Sequence, residues 1–245
     1  MKQLKKKISA LAILIFAIPM TICAQGTMPE INSGNTAWLT VATILVMLMT
    51  IPGLALFYGG LVRQKNVLSI LMQCLMCTAV VSLLWIFFGY SFVFGKGLSG
   101  SPLGFFIGGF DKIFLHGVTT SSVVSPAHVP EITFVLFQCM FAVITPALII
   151  GSFAERIRFS GFLLFTILWS IFSYYPMAHF VWGGGWMQQL GVIDFAGGTV
   201  VHINAGISAL IMALMLGRRR DYHPGKPIPG HSVPFVFIGA ACLWL

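Results

Sequence analysis

The sequence predicts an all-α polytopic membrane protein, and three observations carry that expectation. Of 245 residues, 58 % are hydrophobic and only 8 % are charged, against roughly 25 % charged in an ordinary soluble domain. Five charge-free apolar stretches are each long enough for the ~20 residues that a spanning helix needs. The positive charges lie between those stretches, and they favour alternate gaps. Within lipid each stretch must be helical, because an open strand edge would leave backbone groups unpaired.

Taken in order, residues 1–24 read as a secretory signal: basic Lys5, Lys6 and Lys7, an apolar run from Ile8 to Ile22, then Ala24 ahead of a polar run from Gln25 to Asn35. A retained first membrane helix is the alternative. The spans follow at 37–62, 67–95, 132–154, 159–180 and 195–217, and a sixth apolar run begins near Ser232. The gaps after spans one, three and five carry Arg63, Lys65, Arg156, Arg158, Arg218, Arg219, Arg220 and Lys226, whereas those after spans two and four carry only Lys96 and Lys112. By the positive-inside rule the first set is cytoplasmic and the mature N-terminus is outside. The segment 98–130, rich in Gly, Ser and Phe, reads as an outer loop with a short interfacial helix.

The net charge of +8 is spread over the N-terminus and these gaps, so it forms no continuous basic face for nucleic acid. Cys74 and Cys77 have a redox or zinc spacing, but they lie in an uncharged run with no second pair or nearby histidine. They read as small apolar helix residues. No Ser/His/Asp grouping or phosphate loop appears, so the expectation is a non-enzyme without a cofactor.

The informative residues are those that cost energy in a bilayer. Counted from Phe195, His202 lies about 10 Å below the outer end of span five. Its helical neighbours, Gly198, Thr199, Ala205, Gly206 and Ala209, are small, so another helix or a narrow pore can approach closely. His202 is either hydrogen-bonded between helices or a pore-lining imidazole. Asp194 stands just before that span and reads as its N-cap. Trp182, read as opening the outer loop at Gly183–Gly185, is either an interfacial anchor or one wall of a cation–π site. Phe137 and Phe141, at i and i+4 in span three, are either core packing or a hydrophobic gate.

Four stretches then carry a resemblance: residues 194–206 (DFAGGTVVHINAG) continuing to Gly217–Arg219, 50–60 (TIPGLALFYGG), 154–159 (AERIRF) and 178–185 (AHFVWGGG). Together they resemble the ammonium transporter (Amt/Mep/Rh) family, closer to its bacterial Amt branch. The resemblance implies an ammonium-transporter-like helical bundle of eleven helices, built as two inverted five-helix halves plus a last helix. Residues 25–245 would be the N-terminal part of that domain, the first half and the start of helix six. It also implies a homotrimer in the bacterial inner membrane with a pore through each subunit. Trp182, Phe141, Asp194 and Ala196 match the outer ammonium recruitment site, Phe137 and Phe141 the gate, and His202 the first histidine of the central pair. Ammonium or ammonia, and by extension methylammonium, is the implied permeant, and a PII-type signalling protein the implied cytoplasmic partner. The second pore histidine and second gate phenylalanine of the family pattern do not occur in the chain, so a fragment or a truncated, non-conducting product is expected. An ammonium-sensing membrane module is the alternative function.

Overall fold

Each apolar stretch folds as a helix. The computed structural model describes residues 30–219, 222–226 and 228–244. The expected signal segment lies outside these residues, and the account below concerns the unit from Ile31 onward. Five helices are long and apolar enough to cross a membrane: α1 (Ser33–Leu61), α2 (Gln64–Phe94), α3 (Glu131–Phe153), α4 and α5 (Gly198–Leu216). Helix α4 runs through Phe159–Trp169, a π turn at Ser170–Tyr174 and Tyr175–Trp182. A sixth helix, α6, spans Val233–Trp244.

Helix α1 starts inside the polar run, where Asn32 Oδ1 accepts the Asn35 amide at 2.9 Å. The Thr36, Thr40 and Thr43 hydroxyls each donate to the carbonyl four residues back, which satisfies them within the apolar helix. Pro52 lacks the donor that a regular helix requires, and α1 breaks there into a π turn with extended backbone at Ile51. Helix α6 packs on the following turns of α1. Glycine permits that approach: a Cβ on Gly60 would stand 2.6 Å from the Ser232 carbonyl oxygen.

Helix α3 is the centre of the bundle. Some 61 % of its apolar window is buried, against 17 % for α5, so α5 is the open wall. Polar groups lock the packing. Trp85 Nε1 on α2 donates to the Val135 carbonyl of α3 at 3.1 Å, while Trp169 Nε1 on α4 donates to Ser208 Oγ on α5 at 2.9 Å. Cys74 and Cys77 are buried in this core, and Cys77 Sγ lies 3.6 Å from the Val143 carbonyl oxygen of α3.

At one end, the gaps after α1, α3 and α5 converge on Glu155. Its Oε1 accepts Asn66 Nδ2 at 2.6 Å and both the amide and Nε of Arg63 at 3.1 Å, and Arg219 stands 3.6 Å from Oε2. Burial pushes the Glu155 carboxyl up, but the bonds from Asn66 and Arg63 and the Arg63 charge outweigh it. The group titrates below its ordinary value.

The other end carries residues 95–130. Where a loop with a short interfacial helix was expected, this segment makes two short 3₁₀ helices, Pro102–Phe105 and Ile113–Leu115, and a two-stranded hairpin pairing Val123–Val124 with Val129–Pro130. Glycines at 100, 104, 108, 109 and 117 leave no run long enough for several helical turns. Asp111 anchors the segment by accepting the amides of Lys96 at 3.1 Å and Gly97 at 2.9 Å. Lys112 pairs with Glu131 at the start of α3.

Candidate outer site and the head of the fifth helix

Helix α5 begins three residues later than the sequence reading placed it. Phe195, Ala196 and Gly197 are outside the helix, and Gly197 takes the N-cap position with φ +87. Only glycine adopts that left-handed conformation without strain. A Cβ there would also meet Val201 Cγ2 at 2.7 Å. Asp194 nonetheless does the chemistry of a cap from further back. Its Oδ1 accepts the amides of Gly197 and Gly198, both at 2.7 Å, and its Oδ2 accepts those of Thr199 at 2.8 Å and Val200 at 2.9 Å. Four donors that a helix start leaves open thus converge on one carboxylate, where the helix dipole also favours negative charge.

The same residue fixes the aromatic group. Trp182 is the last residue of α4, not a loop residue as its glycine neighbours suggested. Its Nε1 donates to the Asp194 main-chain carbonyl at 2.9 Å. Its ring meets Phe141 edge-on, with centroids 6.0 Å apart, and Phe141 meets Phe137 in the same manner at 5.0 Å. All three rings are half-buried. Trp182, Phe141, Phe137 and Asp194 therefore form one connected group drawn from α3, α4 and the start of α5. Ala196 follows on the exposed connecting turn, and among the described residues nothing hydrogen-bonds to its carbonyl.

His202 is separate from that group. With α5 starting at Gly198, it lies about 6 Å below the helix head instead of 10 Å. It falls in a π turn, and its amide donates to the Gly197 carbonyl five residues back at 2.9 Å. Its side chain is exposed on the open wall, and its ring makes no hydrogen bond among the described residues. Gly198 and Gly206 share that exposure, Thr199 and Ala209 are half-buried, and Ala205 faces the core. The small face is thus narrower than regular helical spacing implied, because the π turn rotates the chain.

The stretch 178–185 also holds a histidine to which its sequence assigns no role. His179 is 2 % exposed and has both ring nitrogens on main-chain carbonyls. A histidine one turn ahead of three glycines at the end of an apolar helix was the available signal.

The chain is similar to several known proteins. A family model described as the Ammonium Transporter Family matches residues 37–245. The chain is 48 % identical over 222 residues to an ammonium transporter of Aquifex aeolicus, covering 90 % of this chain and 50 % of that protein. It is 46 % identical over 211 residues to one of Bacillus subtilis, covering 86 % and 50 %. Among solved structures it is similar to Saccharomyces cerevisiae Mep2, with TM-score 0.77, 37 % identity and coverage of 88 % of this chain and 47 % of that one. It is also similar to a protein named Sensor Amt Protein, with TM-score 0.75, 32 % identity and coverage of 86 % and 52 %. The chain spans about half the length of the curated relatives it matches, and over that span it belongs to the ammonium transporter family.

Proposed function

We propose that this chain supplies the outer recruitment site and one wall of an ammonium-conducting pore. The single observation that carries the reading is the complete use of the Asp194 carboxylate by four amides, beside an aromatic wall that hangs from its carbonyl. A carboxylate so occupied organises the site without binding the ion directly. Recognition then falls to the π faces of Trp182 and Phe141 and to the open Ala196 carbonyl, which suits a small cation with N–H donors. At the aromatic constriction of Phe137 and Phe141 lost hydration disfavours the charged form, so the ion would give its proton to water at the recruitment site and pass on as the neutral amine. His202 would then offer a donor and an acceptor to the neutral amine. Residence in the inner membrane, the mature N-terminus outside, a homotrimer and a PII-type partner at the end carrying Glu155 belong to the same proposal. The loop charges and family membership support them.

The test is labelled methylammonium uptake in cells lacking their own ammonium transporters, with the complete reading frame that carries these residues expressed. His202→Ala is expected to remove or strongly alter uptake without lowering the amount of folded protein. Parental uptake would sink the pore-lining role. The likeness to the Sensor Amt Protein favours a second reading, an ammonium-sensing module. Saturable methylammonium binding without uptake would select it.

A further inference from the structure

The outer aromatic wall is held at two ends, and only one is Asp194. The other is His179, one helical turn before Trp182. Its ring bridges two separate elements: Nδ1 lies 2.7 Å from the carbonyl oxygen of Val93, at the end of α2, and Nε2 lies 3.0 Å from that of Gly104, in the outer loop. Its own carbonyl accepts the amides of Gly183 and Gly185, both at 3.0 Å, and so turns the chain directly after Trp182. The fit leaves no room for other side chains. A Cβ on Gly183 would stand 2.6 Å from His179 Nδ1 and nearer still to the Val93 carbonyl oxygen, and one on Gly185 would stand 2.8 Å from the His179 carbonyl oxygen. The outer loop is in turn fastened to α2, with the Gly108 amide donating to the Phe92 carbonyl at 2.7 Å.

We propose that His179 is the positioning residue of the recruitment site: by joining α2, the outer loop and the glycine turn, it sets where Trp182 stands. This rests on the reading of Trp182 as a wall of that site. Carbonyl oxygens only accept and a neutral imidazole carries one N–H, so the ring donates to one of the two carbonyls and lies against the other. Asn at this position can keep the nearer bond, to Val93, and Gln the farther one, to Gly104. Phe fills a similar volume and keeps neither.

The experiment is ¹⁹F NMR of the chain carrying 5-fluorotryptophan, with the Trp182, Trp85 and Trp169 lines assigned by Phe substitution at each. In His179→Phe the Trp182 line is expected to shift or split while the Trp169 line, from a buried ring elsewhere in the core, holds still. His179→Asn is expected to bring the Trp182 line back towards its parental position. A Trp182 line in His179→Phe that coincides with the parent's would overturn the proposal. Should His179→Phe not fold, His179→Leu, which also keeps neither bond, decides in its place: a displaced Trp182 line supports the proposal and an unmoved one overturns it. Titration of the parent with methylammonium chloride separates the two levels. A Trp182 line that methylammonium never moves would remove the recruitment reading, whereas the dependence of that line on His179 is read without any ligand.

Discussion

At the scale of single residues, Asp194 and Trp182 touch each other yet should fail in different ways. Asp194→Asn keeps the shape but offers one acceptor oxygen to four amides and turns donor hydrogens towards the rest. Loss of a cap costs about 0.5–2 kcal/mol, so the melting temperature and the yield of folded protein should both fall. Trp182→Leu leaves the helix head intact. It should melt close to the parent, with methylammonium affinity weaker by about 1–2 kcal/mol, the worth of a partly desolvated cation–π contact. Equal thermal destabilisation of the two variants would make Trp182 a packing residue. The residue types at this site were legible in the sequence, because a histidine, an aspartate and a tryptophan are conspicuous among apolar neighbours. Their exact contacts were not. Nothing in residues 194–200 says that the carboxylate reaches past two residues to its amides; that depends on Gly197 taking a positive φ.

At the scale of elements, spans two and three were legible to within a few residues, since hydropathy and charge mark where lipid ends. Other boundaries moved where glycine or polar residues misled. Three glycines suggested a loop from Trp182, but helix bonds persist through that residue and the turn starts at Gly183. Phe195 looked like the first residue of a span, but it is 98 % exposed ahead of the helix. The head of α5 can be tested directly. Gly197→Ala should destabilise by about 1–2 kcal/mol for the left-handed conformation alone, with a further loss from the Val201 contact. Adding Val201→Ala should recover only that further loss, measured as melting temperature. The opposite end of the bundle should be pH-dependent. Glu155 is held below its ordinary value when folded, so the stability it contributes is fully present above the unfolded value, about 4.3. It is lost as pH falls through the lower, folded value. Glu155→Gln should therefore melt below the parent at pH 7, with the gap closing at acid pH. A gap that stays constant from pH 7 to pH 3 would rule out the ionised Arg63–Glu155–Asn66 arrangement as its source.

At the scale of the whole molecule, the bundle has a filled side and an open one. Helix α3 is enclosed by α1, α2 and α5, whereas α5 presents Ile207, Leu210 and Leu214, at 56–74 % exposure, on its outer surface with His202. A conduction path along His202 needs a second wall facing it, and none of the described residues supplies one. The 245 residues expressed by themselves should therefore insert in a membrane but carry no methylammonium. Insertion follows from five apolar spans and the uneven loop charges, both of which act locally as the chain emerges. Transport fails because lipid, or a second copy of the same face, would lie against His202. Lipid there leaves the imidazole without partners, at a cost of about 1–3 kcal/mol, so α5 should also be the least protected helix in hydrogen exchange, with α3 the most. The check combines cysteine accessibility for topology with growth of a transporter-deficient strain at low ammonium and slightly acid pH, where unassisted entry of the neutral amine is limiting. Restored growth would mean that this face closes on a copy of itself to make a pore. Faster exchange in α3 than in α5 would remove the open-wall argument.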